Sequence, residues 1–209
     1  MEIHIEHDAI IIGNGEFPTS AYPLRVLNKT PFVVCCDGGA NEYVRNGHIP
    51  NAIVGDGDSL VEDIKKEFAD IIHYYPCQET NDQTKAVKFL MEQGYKNIAI
   101  IAATGKREDH TLGNISLLIE YMRKGVSVYM YTDYGIFIPC DGTQHFPSRT
   151  YQQVSIFNIS ATGFSSEGLR YPIYDFNNWW QGTLNETTST SFTIKAEGEY
   201  IVFITYDTK

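Results

Sequence analysis

Two aspartates two residues apart, Asp56 and Asp58, stand among glycines in the run Gly55-Asp-Gly-Asp-Ser59. In an extended segment residues two apart point the same way, so these carboxylates are expected to share a hard cation. Asp-Gly runs are also the commonest turn chemistry, and that reading stands beside the first. Other acidic groups recur at comparable places. Asp37 precedes Gly38, Gly39 and Asn41, Asp82 follows Glu79-Thr-Asn81, and Asp109 lies in Lys106-Arg-Glu-Asp-His110. Magnesium takes a few carboxylates together with water and phosphate oxygens, which a two- or three-aspartate site supplies.

Each of these residues has an ordinary role as well. Asp37 is read as the cap of a helix beginning near Ala40 or as a metal ligand, with Gly38 and Gly39 offering amide N–H groups to a phosphate. Asp82 stands at a helix start and so could be only a cap. Lys85, one turn on, either neutralises phosphate at the same site or is solvated. Arg107 has the fork that grips phosphate oxygens bidentately, suited to charge stabilisation during transfer. Asp109 could cap the following helix, and His110 either holds water or substrate or is a satisfied structural histidine. Asn14, in Gly13-Asn-Gly15, is the weakest member, since such a run is a turn more often than a phosphate cradle.

The elements that must position these groups follow from the hydrophobic pattern. Ala9–Ile12, Phe32–Cys36, Ala52–Val54, Ile71–Tyr74, Asn97–Ala103 and Ser127–Thr132 are continuous apolar or β-branched runs, as expected of strands buried on both faces. Between them, Ala86, Val87, Leu90 and Met91 form one helical stripe closed by Gly94. Leu112, Ile115, Leu118, Ile119 and Met122 form another, closed by Gly125. Strand–helix alternation predicts an α/β fold, a mostly parallel Rossmann-like sheet with helices, over residues 1–134. In such a sheet ligands bind at the carboxyl ends of the strands, where all the residues above fall. From 135 to 209 the runs are short, rich in Thr, Ser, Tyr and Phe, and broken by Gly, Asn and Asp, which predicts an antiparallel β-sandwich.

Net charge is −10, from 26 acidic and 16 basic residues, so no broad positive surface exists for a nucleic-acid backbone or an anionic membrane. No apolar run is long enough to span a bilayer. The start, MEIHIEHDAI, lacks the basic region and apolar stretch of a signal peptide. Cys35, Cys36, Cys77 and Cys140 show no metal-ligand spacing and are expected to be buried free thiols in a reducing compartment. The expectation is a cytoplasmic protein.

In order and spacing, Asp37-Gly-Gly-Ala-Asn41, Gly55-Asp-Gly-Asp-Ser59, Asp82-Gln-Thr-Lys-Ala86 and Arg107-Glu-Asp-His-Thr-Leu-Gly-Asn114 resemble the thiamine pyrophosphokinase family. Gly168-Leu-Arg-Tyr-Pro172 and Gly182-Thr-Leu-Asn-Glu186 carry the resemblance into the second half. It implies an N-terminal catalytic domain that binds nucleotide and metal, and a C-terminal β-sandwich for thiamine binding and dimerisation. It also implies magnesium, ATP as co-substrate, thiamine as acceptor, and a homodimer with the thiamine site at the subunit interface. By the same resemblance Asp56, Asp58 and Asp82 hold the metal and the ATP phosphates, with Asp37 and Asp109 near metal or thiamine. Asn14, Gly38, Gly39, Asn41, Ser59, Lys85 and His110 line the ligand side. Tyr171 falls where the family places an aromatic near the thiamine pyrimidine, and Asn185 falls in the thiamine-side loop. Glu79, Asn81 and Leu184 depart from the family pattern. The competing readings are a diphosphokinase acting on another hydroxymethyl heterocycle such as a pterin, a non-catalytic nucleotide or thiamine sensor, and a metal-dependent phosphohydrolase.

Overall fold

The structure is a computed structural model that describes residues 5–76 and 79–208. Cys77 therefore lies outside the described residues. The chain divides into two compact units, Glu6–Asp133 and a second that takes in the residues from Tyr134 onward together with Ile5.

In the first unit strands and helices alternate: β1 (Ala9–Ile12), α1 (Ala21–Lys29), β2 (Val33–Cys36), α2 (Gly39–Arg45), β3 (Ala52–Gly55), α3 (Glu62–Glu67), β4 (Ile72–Tyr74), α4 (Asp82–Glu92), β5 (Asn97–Ile101), α5 (Glu108–Arg123) and β6 (Ser127–Tyr131). The six strands pair in parallel, in the order β6-β5-β1-β2-β3-β4. All residues of β1, β2 and β3 are buried, which is why their sequences are apolar without alternation. The chain leaves β1 toward β2, β3 and β4 on one side, then returns to place β5 and β6 on the other. In open parallel sheets ligands bind at the carboxyl ends of the strands beside such a reversal, the end from which the loops leaving β1, β2, β3 and β5 emerge.

Helix α4 packs on β1, β2 and β3 through a face that includes Ala86, Val87 and Leu90. Its end is closed by Gly94, and that of α5 by Gly125. In α5 the stripe is covered only in its second half. Leu118 and Ile119 are buried, whereas Leu112 is 53% exposed, so the expected five-residue core stripe is corrected to its C-terminal part.

The second unit contains β7 (Gly135–Asp141), β8 (Gln144–Pro147), β9 (Gln152–Asn158), β10 (Thr162–Glu167), β11 (Asn185–Glu186), β12 (Ser191–Glu197) and β13 (Glu199–Thr208). Antiparallel pairing gives β11-β9-β13-β7 and a separate three-stranded sheet β10-β12-β8. Inward positions alternate along β9 and β12, as in strands with one face on a core. Phe146, Phe164, Phe192, Ile194, Tyr200 and Val202 belong to that core. Apart from one short 3-10 turn at Trp179–Gly182, the described residues of this unit contain no helix.

Candidate active site

The loops that leave β2 and β3 bring three carboxylates together. One oxygen from each of Asp37, Asp56 and Asp58 lies within 4.8 Å of the other two. Asp37 is buried, Asp56 half-buried and Asp58 exposed, so the cluster opens from the sheet edge toward solvent. The segment is not extended, contrary to expectation. Asp56 accepts a hydrogen bond from the Asp58 amide at 3.2 Å, and Gly57 between them takes φ +81. A side chain at Gly57 would be strained there and would also press on the Tyr74 ring, 2.8 Å from the position of its Cβ. It is this turn that brings the two carboxylates toward each other.

Ser59 and Asn41 complete the loop. The Ser59 amide donates to Asp37 Oδ2 at 3.1 Å, and its hydroxyl donates to Asp58 Oδ1 at 2.9 Å. Asn41, on α2, donates to the Ser59 carbonyl and accepts from the Val61 amide, pinning the loop from both sides. Gly38 and Gly39 form the start of α2. Gly39 lies so close to β1 that a Cβ there would stand 2.4 Å from the Gly13 carbonyl oxygen.

Asp37 is the most perturbed member. It is 2% exposed, and its Oδ1 is buried without a hydrogen-bond partner. Its carboxyl is pushed up to about 6, first by burial and then by the neighbouring Asp58, Asp82 and Asp56, against the stabilising Ser59 amide. The cluster is short of positive charge. Three converging carboxylates and an orphaned buried oxygen fit a hard divalent cation.

Asp82 lies outside this group of three but close enough to act on Asp37 electrostatically. It is not the cap of α4. Asn81 takes that place, its side chain accepting the Thr84 amide at 2.9 Å, because an Asx oxygen one residue before the helix reaches the third helical amide. Asp82 instead pairs with Lys85 at 2.9 Å, and the Lys85 side chain is 5% exposed. The solvated reading of Lys85 is thereby excluded.

Arg107 is the N-cap of α5, and Asp109 lies in the first turn rather than at the cap. The two form a bidentate pair, Nε to Oδ1 at 3.1 Å and Nη2 to Oδ2 at 2.6 Å, with both side chains exposed. Hydrogen bonding to Arg107 holds the Asp109 carboxyl below the usual carboxylate range. His110 is exposed beside them. At the end of β1, exposed Asn14 accepts a hydrogen bond from Lys106 at 3.4 Å.

In the second unit Asn185 is 6% exposed and its amide is spent on the backbone. It accepts from the Tyr171 and Glu186 amides and donates to the Tyr171 carbonyl. Tyr171 is 53% exposed, and the Arg170 guanidinium lies 5.7 Å from its ring centre while pairing with Glu186 at 2.8 Å. Asn185 therefore fixes the backbone at Tyr171.

Two family models match the chain in tandem: the thiamin pyrophosphokinase catalytic domain over residues 24–130 and the thiamin pyrophosphokinase substrate-binding domain over 135–203. The chain belongs to the thiamin pyrophosphokinase family. Among relatives, thiamin pyrophosphokinase 1 of Caenorhabditis elegans is 32% identical over 120 residues, 52% of this chain and 49% of that protein. Thiamine pyrophosphokinase 1 of rice (Oryza sativa subsp. japonica) is 30% identical over 138 residues, 54% and 52% of the two chains. The matched stretch thus spans about half the length of these curated relatives. The fold is similar along nearly the whole chain to thiamin pyrophosphokinase from Candida albicans. There the TM-score is 0.79 at 20% identity, covering 97% of this chain and 90% of that one. The thiamin pyrophosphokinase structure from Geobacillus thermodenitrificans gives 0.77 at 23% identity, covering 95% and 97%.

Sequence reasoning about this thiamin pyrophosphokinase family member missed Asn81 as the cap of α4 and gave no role to Asn114, although both stand in or beside the motif blocks. A cap signature was present, since Asn immediately before a helical stripe is a start signal. The Arg170–Glu186 pair had no signal, because the two are far apart in sequence.

Proposed function

We propose that the chain transfers a diphosphate group from ATP to the hydroxyl of thiamine, giving thiamine diphosphate and AMP, with magnesium as the metal. The observation that carries this reading is the convergence of Asp37, Asp56 and Asp58, with Asp82 alongside, in a chain that matches both domains of the family in tandem. Asp56 and Asp58 would hold magnesium, joined by Asp82 as the resemblance implies and by the orphaned oxygen of Asp37. Magnesium, when bound, would neutralise charge on the ATP phosphates and orient them.

The protein's own groups do the rest. Phosphoryl-type transfer needs positioning and charge compensation more than covalent help. Lys85, buried against Asp82, brings the positive charge that the acidic wall lacks. The guanidinium of Arg107 already grips a carboxylate bidentately, and a phosphate offers the same two-oxygen geometry. The thiamine hydroxyl attacks the β-phosphorus in line and AMP leaves. Asp109 is a weak proton acceptor while Arg107 holds it, so any role as base requires the pair to open. Asn14, Gly38, Gly39, Asn41, Ser59 and His110 line or brace the nucleotide side, and Tyr171 offers its exposed face to the pyrimidine ring with Asn185 holding it. A homodimer with thiamine at the subunit interface is part of this reading. Exposed Leu112, Trp180 and Leu184 are apolar surface of the kind an interface covers. The buried free thiols Cys35, Cys36 and Cys140 suit a cytoplasmic setting.

The test is one incubation of pure protein with ATP, magnesium and thiamine, assayed for thiamine diphosphate and AMP. Both products are expected in equal amounts. AMP with a pterin alcohol but not with thiamine, nucleotide binding without AMP, or phosphate release without an acceptor would each overturn the assignment.

A further inference from the structure

The motif block that opens α5 ends at Asn114, a residue to which the transfer chemistry gives no task. Its side chain spans two separate pieces of the fold. Nδ2 donates to the Ala103 carbonyl, at the end of β5, at 2.9 Å. Oδ1 accepts from Nδ2 of Asn81, the cap of α4, at 3.0 Å. The Asn114 backbone carbonyl also accepts from Nε2 of Gln83 at 3.2 Å. Two helical turns further along α5, fully buried Tyr121 meets the Thr84 hydroxyl at 2.7 Å and Gln83 Nε2 at 3.4 Å.

The residues on both sides of Asp82, Asn81 and Gln83, are thus fastened to α5, and Asp82 itself makes its ion pair within α4. A carboxylate between two anchored neighbours has little freedom to choose its own distance from the acid cluster. We propose that Asn114 is a positioning residue that sets the Asp82 carboxylate beside Asp37, Asp56 and Asp58, and so tunes the metal site without touching it. The inference rests on the metal-binding reading of that cluster. Partners that orient ligands from behind typically matter almost as much as the ligands themselves.

The measurement is a Mn2+ titration of the full chain by calorimetry or electron paramagnetic resonance, alongside thermal unfolding, for wild type, Asn114→Ala and Asn81→Ser. Asn81→Ser keeps a capping oxygen for the Thr84 amide but loses the amide donor to Asn114, so it cuts the bridge while sparing the helix start. Asn114→Ala is expected to weaken Mn2+ roughly tenfold. Asn81→Ser should shift affinity in the same direction with its unfolding temperature near that of wild type. If Asn114→Ala fails to fold, Asn81→Ser decides alone. Wild-type Mn2+ affinity in the folded variants, with only a lowered unfolding temperature, would overturn the proposal, as would a wild type that binds no Mn2+. A wild type that binds Mn2+ yet forms no thiamine diphosphate would overturn the proposed activity instead, and the relative affinities would still judge Asn114.

Discussion

The orphaned oxygen of Asp37 makes two measurable demands. Its carboxyl is protonated up to about pH 6 in the folded chain, well above the ordinary value of 3.8, so protons compete there with a cation. Metal affinity should therefore fall as pH drops through 6, approaching about tenfold per pH unit below it. Calorimetric titration with Mn2+ between pH 5 and 8 checks this. The same shift bears on stability. The unfolded chain releases its proton first, so this group favours the folded state below 3.8, and that contribution is lost progressively as pH rises through about 6. Asp37→Asn removes the buried charge. We expect it to stabilise the metal-free protein at pH 7 by roughly 1 kcal/mol, allowing for screening by water in the open cluster, with little effect at pH 4. Thermal unfolding at the two pH values, without metal, reads the difference. Asp109 shows what spacing could not convey. Its partner Arg107 is two residues away, but only the turn into α5 decides that they face each other.

At the level of elements, the strands were legible because burial on both faces demands unbroken apolar runs. β1 has the bounds Ala9–Ile12 expected of it. The clustering of glycine and carboxylate at strand ends was legible because it recurs at successive strand ends, although close approach at Gly39 and the turn at Gly57 also select glycine there. Conformation within the loops was not. An Asp-Gly-Asp run fits an extended segment or a turn, and the choice depends on Gly57 adopting φ +81 against the Tyr74 ring. Gly57→Ala should strain the turn, lower stability by about 1 kcal/mol and disperse Asp56 and Asp58. Unfolding curves together with loss of Mn2+ binding would verify it. The cap of α4 is a second example. Asn81→Ala should cost about 1 kcal/mol in a denaturant melt, since the Thr84 amide would lose its partner. The half-covered stripe of α5 was illegible for a different reason: periodicity marks an apolar face without saying how far along the helix the same chain covers it.

For the molecule as a whole, the tandem match to catalytic and substrate-binding family domains agrees with the division at Asp133/Tyr134. The net charge of −10 argues against phosphate binding by a broad basic surface, so the proposed ATP binding would rely on metal and on a few placed cations such as Lys85 and Arg107. A homodimer predicts a mass in solution twice the 23.6 kDa of one chain, which light scattering measures directly. In the proposed reaction the acid cluster holds the metal that makes diphosphate transfer possible. The most direct test of that role is the rate of thiamine diphosphate and AMP formation by Asp58→Asn, titrated with magnesium to saturation. The expected result is a loss of about a hundredfold or more that added magnesium does not restore. Turnover close to wild type at saturating magnesium would contradict it.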